Sequence, residues 1–200
     1  MNTSPFPILF ATDTRYIPHL AVAMQSLLKN NPGLFLRIII FTSGISEQDK
    51  YKLQNICEKF KTSLEFIQLD DKWFDGLKIN HHFQKSTYYR LFAADFIHDD
   101  KCLYLDADIV VNASISDIIN IELNEKYLAA VEVQNFNRHA ELGMNINSKY
   151  FSAGVMLINL KEWRNTNIKS RVISFVKKKP DAIHFVDQCG LNAVIDGTID

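Results

Sequence analysis

The run Ile38-Ile39-Ile40-Phe41 carries no polar side chain at either alternate position. Successive side chains of a strand point to opposite sides, so a strand built from this run must be covered on both faces. That requirement excludes a half-solvated ribbon and calls for helices above and below the strand. The chain supplies them in alternation. Pro7 to Ala11 is a short apolar run that ends at Thr12, Asp13 and Thr14. Ile17, Leu20, Ala21, Met24, Leu27 and Leu28 follow at helical spacing, with Pro18 in the first turn, until Asn30, Asn31, Pro32 and Gly33 stop the pattern. With Leu36 to Thr42 as the next strand, this is a βαβ unit. Ser46 and Asp49 resemble a helix-capping pair, Leu53, Ile56, Cys57 and Phe60 mark a helical face, and Leu64 to Leu69 return as a strand. Lys85 to His98 predicts a further helix with Tyr88, Leu91, Phe92 and Phe96 inward, and Lys101 to Leu105 a strand. Tyr127 to Val133 and Gly154 to Leu160 predict two more strands, and helices are expected near Asn167 to Lys177 and Asp187 to Ile195. The expected architecture is one α/β domain over residues 1–200, an open, mostly parallel twisted sheet flanked by helices. In such sheets ligands gather beyond the carboxyl ends of the strands.

Charge and cysteine usage narrow the function classes. Lys plus Arg number 22 against 23 Asp plus Glu, a net charge of −1, so there is no basic excess of the kind a nucleic-acid footprint needs. Cys57, Cys102 and Cys189 are too few and too widely spaced for a disulfide scaffold or a CxxC site, which reads as an intracellular chain. The N-terminal apolar stretch has no basic flank and stops at Asp13, and no segment approaches twenty apolar residues. A cytoplasmic location is therefore expected.

Asp106 and Asp108 are the strongest chemical signal. They sit between the apolar runs Cys102 to Leu105 and Ile109 to Val111, where a bare carboxylate is costly to bury. Two carboxylates two residues apart at a strand end can point to one side and bind a hard divalent cation through oxygens. Mg²⁺ and Mn²⁺ both suit that donor set. In isolation, Asp-x-Asp more often caps a turn and faces solvent.

Several motifs in order carry a resemblance: Phe10-Ala11-Thr12-Asp13 with Tyr16, Ser86-Thr87-Tyr88-Tyr89-Arg90-Leu91, Leu103-Tyr104-Leu105-Asp106-Ala107-Asp108, Tyr150 to Leu160 with Trp163, and Asp187-Gln188. Over nearly the whole chain the sequence resembles a family 8 glycosyltransferase, within it the bacterial lipopolysaccharide galactosyl- and glucosyltransferases and, more distantly, glycogenin. The resemblance implies a GT-A fold, a UDP-hexose donor, Mn²⁺ as cofactor, and a saccharide or glycolipid acceptor. It further implies retention at the anomeric carbon and peripheral work at the inner face of the cytoplasmic membrane. Residue by residue, it implies that Thr12, Asp13 and Tyr16 hold the nucleoside and that Arg90 reaches the donor's sugar or phosphates. Asp106 would touch ribose and metal, Asp108 would be a direct metal ligand, and Gly154 would belong to the donor site. Asp187 would bind the donor sugar, and Gln188 would lie near the anomeric carbon. Without the resemblance, Thr12 and Asp13 read as a strand-terminating turn, Arg90 as a surface ion pair, and Asp187 with Gln188 as a polar helix start.

The departures from the family pattern are Arg15 in place of an amide residue, Ser152 where Asn is frequent, Glu132 near a position that often carries a donor-sugar aspartate, and Cys189 at a commonly acidic place. The family's His-x-x-Gly-x-x-Lys segment, which supplies a third metal ligand, is not found before Asp200, and none of the six histidines (His19, His81, His82, His98, His139, His184) matches it. These six read as surface or packing residues. The loops His81 to Lys85 and Asn135 to Lys149 are expected to border the acceptor. The favoured mechanism is front-face attack with Gln188 assisting. The alternative function is a nucleotide-sugar-binding module without transfer activity. A nucleotidyltransferase would need a Gly-rich loop after the first strand, and Thr12 to Tyr16 contains no glycine.

Overall fold

The computed structural model describes residues 4–79 and 84–196. Among them six strands form one sheet: β1 (Phe6–Ala11), β2 (Leu36–Thr42), β3 (Ser63–Gln68), β4 (Lys101–Leu105), β5 (Leu128–Glu132) and β6 (Phe151–Asn159), in the order β3-β2-β1-β4-β6-β5. β2 behaves as its composition demands. Ile38 and Ile40 face a core layer built with α1 (Ile17–Asn30) and α2 (Glu47–Lys59). Ile39 and Phe41 face a second layer, which includes α6 (Leu160–Asn165), α7 (Ile168–Lys178) and α8 (Val186–Ile195). Three short helical turns complete the set: α3 (Ala93–Phe96), α4 (Ser116–Ile119) and α5 (His139–Leu142). The expected cap of α2 is present, with Ser46 Oγ accepting the Asp49 N–H at 3.1 Å.

β1, β2, β3 and β4 pair in parallel, whereas β6 is antiparallel to both β4 and β5. The sheet is mostly parallel, as read, but its far edge reverses; an apolar run covered on both faces looks the same in either direction. A second difference falls in Lys85 to His98. The stretch is a 3-10 helix over Lys85–Phe92 that continues into α3, because Tyr88, Tyr89, Arg90, Leu91 and Phe92 are all buried and no solvent face is left for a regular amphipathic helix.

Two features of this scaffold position the site. The chain leaves β1 toward β2 on one side and has β4 on the other, so the β1/β4 boundary is a topological switch point that opens a crevice beyond the carboxyl ends of both strands. The β5/β6 register also jumps, from Ala130↔Met156 to Glu132↔Phe151, leaving residues 152–155 without a partner on β5. Bulges of this kind redirect peptide groups and side chains beside active sites.

α8 approaches α7 closely through Gly190. A methyl group added there would lie 2.8 Å from Val172 Cγ1 and 3.0 Å from Val176 Cγ2. Gly190→Ala gains about 1 kcal/mol of helix propensity, but overpacking two stiff valines costs about 1–3 kcal/mol. Urea unfolding should therefore give a net destabilisation of about 1 kcal/mol; a stabilised variant would show that the α7/α8 seam yields freely.

Candidate active site

The crevice at the β1/β4 boundary is lined by residues from three segments: Thr12, Asp13 and Tyr16 after β1; Ser86, Thr87 and Arg90 of the 3-10 helix with Gln84 just before it; and Tyr104, Asp106 and Asp108 from β4 and beyond. The strand period places Tyr104 and Asp106 on the same side of β4, and the Tyr104 hydroxyl donates to Asp106 Oδ1 at 2.8 Å. Asp106 is further fixed by its backbone N–H, which donates to the Gly154 carbonyl at 2.8 Å. Gly154 is a cradle: a Cβ there would stand 2.7 Å from Asp106 Oδ2, so only glycine lets the carboxylate lie against β6.

Arg90 is the centre of the site. It is 5% exposed, not the surface residue that a helix arginine suggests. Its Nη1 donates to the Ala153 carbonyl at 2.5 Å and lies 3.2 Å from Asp106 Oδ1. Nε donates to the Thr87 carbonyl and lies 3.0 Å from Asp187 Oδ2, while the guanidinium carbon sits 4.4 Å from the centre of the Tyr104 ring. Burial opposes the charge, but Asp187, Tyr104 and Asp106 outweigh it and hold the guanidinium firmly protonated.

Asp187 is fully buried at the start of α8, not a solvated helix start. Burial is the main reason its pKa is raised to about 7, partly opposed by Arg90. Neither of its oxygens accepts a well-directed side-chain hydrogen bond, so the ion pair with Arg90 is its chief compensation. The preceding Val186 has φ +39°, a left-handed conformation that a β-branched residue resists. Gln188 is brought to the same place: its Oε1 accepts the Ala153 N–H at 3.0 Å and its Nε2 donates to the Tyr150 hydroxyl at 3.2 Å.

At the other wall, the turn reading and the site reading of Asp13 both hold. Its Oδ1 caps the turn by accepting the Arg15 N–H at 2.9 Å, and Oδ2 pairs with Arg15 Nη2 at 3.1 Å and accepts from Ser86 Oγ at 3.4 Å. Burial works against ionisation here, but the bonds from Arg15 and Ser86 hold the carboxyl below its usual range. Thr12 is buried and Tyr16 is partly exposed at the mouth. Asp108 lines the crevice but is exposed, and Val110 beyond it is exposed too. The argument from flanking burial therefore applies to Asp106 and not to Asp108. Among the described residues no three His, Cys, Asp or Glu side chains come together as a metal-binding group.

Tyr104, Ser86, Thr87 and Ala153 stand within the quoted motifs but carried no assigned role, and the structure brings them against Arg90 or Asp106 or into the crevice. Tyr104 had a usable signal, being an aromatic two residues before a carboxylate on one strand. The Ala153 peptide had none, since a bulge is set by pairing. Of the departures, Arg15 ties Asp13, Glu132 is exposed with Lys149 at 4.0 Å, Ser152 Oγ accepts from the Gly154 N–H at 3.5 Å, and Cys189 is a buried free thiol. His19, His98 and His184 are exposed, and His139 is packed against Phe136. His81 and His82 lie outside the described residues, as does most of the loop His81 to Lys85. Asn135 to Lys149 folds around α5 and leads into Tyr150.

The chain is similar in sequence and fold to known glycosyltransferases. The family description Glycosyl transferase family 8 matches residues 7–199. General stress protein A of Bacillus subtilis (strain 168) is 30% identical over 195 residues, covering 94% of this chain and 68% of that protein. The lipopolysaccharide 1,3-galactosyltransferase of Salmonella typhimurium is 28% identical over 184 residues, covering 88% of this chain and 55% of its own length. A crystal structure of the galactosyltransferase LgtC in complex with donor and acceptor sugar analogs superposes with a TM-score of 0.91 at 30% identity, over 97% of this chain and 72% of that one. The chain thus spans about half to three quarters of these proteins' length. The family match takes in the three segments that line the crevice, together with the bulge of β6 and the first turn of α8, and on it the chain belongs to glycosyl transferase family 8.

Proposed function

We propose that the chain is the donor-binding and catalytic part of a metal-dependent, retaining hexosyltransferase. It would move galactose or glucose from a UDP-sugar to a saccharide or glycolipid acceptor, in lipopolysaccharide or other cell-surface glycan synthesis at the inner face of the cytoplasmic membrane. The observation that carries the reading is the pair Asp106 and Asp108 at the switch-point crevice, with Gly154 leaving room for the Asp106 carboxylate. The kinship with lipopolysaccharide sugar transferases supports the substrate class. Among the described residues no helix is long and apolar enough to cross a membrane, which leaves a peripheral association as the mode proposed.

Roles follow from chemistry at each wall. Asp13, held ionised by Arg15 and Ser86, offers an acceptor to the donor groups of a nucleoside, beside Thr12 and Tyr16. Arg90 presents a fixed positive charge toward the diphosphate end, with Asp187 buried against its Nε. Asp106 and Asp108 fit a hard divalent cation, Mn²⁺ in this reading, of the kind held by one or two carboxylates plus substrate phosphates. Such an ion supplies Lewis-acid stabilisation of the charge on the departing diphosphate. Front-face attack on the sugar suits a crevice in which Gln188 contributes a neutral amide and not a carboxylate nucleophile.

Two experiments address these roles. UDP release from UDP-galactose or UDP-glucose, measured with Mn²⁺, should be abolished in Asp108→Asn. Gly154→Ala should weaken Mn²⁺ binding about 10- to 100-fold by displacing Asp106, as loss of an orienting contact around a metal ligand does. Full activity in Asp108→Asn overturns the assignment, and binding of UDP without any turnover supports a module without transfer activity.

The second concerns pH. The native Asp187 carboxyl holds its proton up to about pH 7, whereas an unfolded aspartate releases it near 3.8. Between those values the native state binds more protons, so the Asp187 contribution makes stability fall as pH rises. Asp187→Asn should therefore show a flatter decline than the parent protein in urea melts at pH 5 and pH 8; equal slopes would show that Asp187 is not held protonated by the fold.

A further inference from the structure

The Ala153 peptide is held on both sides by side chains. β5 leaves it unpaired, its N–H donates to Gln188 Oε1 at 3.0 Å, and its carbonyl accepts Arg90 Nη1 at 2.5 Å. Because the backbone group is a donor, the carboxamide atom facing it must be the oxygen, and the amide nitrogen then points to Tyr150. There it donates to the Tyr150 hydroxyl at 3.2 Å. Tyr150 is 2% exposed, and its ring stacks on Phe136 with centroids 3.6 Å apart and planes 9° from parallel. The hydroxyl is therefore delivered from a fixed ring. Next to it, Asn192 one turn along α8 accepts the Phe151 N–H at 2.7 Å and donates to the Phe151 carbonyl at 2.9 Å, so α8 is fastened to β6 at two successive odd positions.

We infer that Tyr150 and Gln188 are positioning residues of one relay, Tyr150 to Gln188 to the Ala153 peptide to Arg90, which aims the guanidinium for sugar transfer. The inference rests on the hexosyltransferase reading above and refines the part Gln188 plays in it. A peptide whose N–H is bonded has a more polarised carbonyl, so Gln188 strengthens the acceptor that grips Arg90. The same bond holds the carboxamide oxygen against β6 through one of its two lone pairs. Gln188 acts on the reaction through Arg90, and Tyr150 keeps the carboxamide from turning over.

The test pairs Tyr150→Phe and Gln188→Ala with their double variant, read by UDP release from UDP-galactose and UDP-glucose with Mn²⁺, and by NMR exchange of the Arg90 Nε–H in the substrate-free protein. Tyr150→Phe keeps the ring and loses the bond from Gln188 Nε2 together with the weak contact to Cys189 Sγ at 3.4 Å, so kcat should fall about 3- to 10-fold while KM for the donor changes less than about twofold. Gln188→Ala leaves the Ala153 N–H buried and unpaired, and kcat should fall about 10- to 100-fold. In the Gln188→Ala background, Tyr150→Phe should cost nothing further, because both act through one contact. Arg90 Nε–H should exchange about tenfold faster or more in each single variant. Multiplying kinetic losses, or an Arg90 signal unchanged in Tyr150→Phe, overturns the relay. A parent protein that releases no UDP from either donor overturns the hexosyltransferase reading instead, and the Arg90 exchange rates then decide the relay by themselves.

Discussion

A single buried cation organises the centre of this molecule. Moving a guanidinium out of water costs several kcal/mol unless its donors and charge are met, and Arg90 is met from four directions. The Thr87 carbonyl comes from its own helical segment, the Ala153 carbonyl from the β6 bulge, Asp106 from the end of β4, and Asp187 from the start of α8. Each partner belongs to a different element, so the ion pair works as a keystone for tertiary structure as well as a charge in the crevice. It also explains the irregular conformations nearby. The 3-10 stretch buries Tyr88 through Phe92 so that Arg90 can point inward, and Val186 accepts a left-handed φ so that Asp187 can turn toward it.

The sheet accounts for why those four elements meet. At a switch point the strands diverge in connection but not in space, so their carboxyl ends leave an unfilled crevice. β1 contributes the turn Thr12 to Tyr16, β4 contributes Tyr104 and the two aspartates, and the antiparallel β6 returns past the end of β4 to bring Gly154 beneath Asp106. Had β6 run parallel, its amino end and the bulge at residues 152–155 would lie at the opposite end of the strands, away from the crevice. The reversal at β6 is thus a requirement of the site and not an ornament of the fold.

How much of this was readable follows from the range of the interactions. Strand and helix positions from Pro7 to Leu69 were legible because a covered strand and an amphipathic helix leave different periods in the sequence, and Ser46 with Asp49 is a local device. Asp106 was legible as a carboxylate in an apolar setting. The direction of β6 was not, because a doubly covered run has no polar face to report it. The burial of Arg90 and Asp187 was not legible from composition either, since each looks solvated until its distant partner is in place; only the order of motifs suggested a common site. Asp108 is the converse case. Its motif was plain, yet Asp108 itself is exposed, because Ile109 and Val111 pack on the core while Val110 and the carboxylate face outward.

Carboxylates outnumber cations around the crevice. Arg15 offsets Asp13 and Arg90 stands against both Asp106 and Asp187, while Asp108 adds a further carboxylate at the mouth. A chain of net charge −1 offers no general basic surface to draw in phosphates, so an anionic donor meets locally unfavourable charge at this crevice unless positive charge arrives with it. On the hexosyltransferase reading, a divalent cation held by Asp106 and Asp108 would supply that charge. In that reading cation and diphosphate are therefore coupled ligands: each removes the electrostatic objection to the other, and Arg90, already saturated by protein partners, sets direction more than it adds charge.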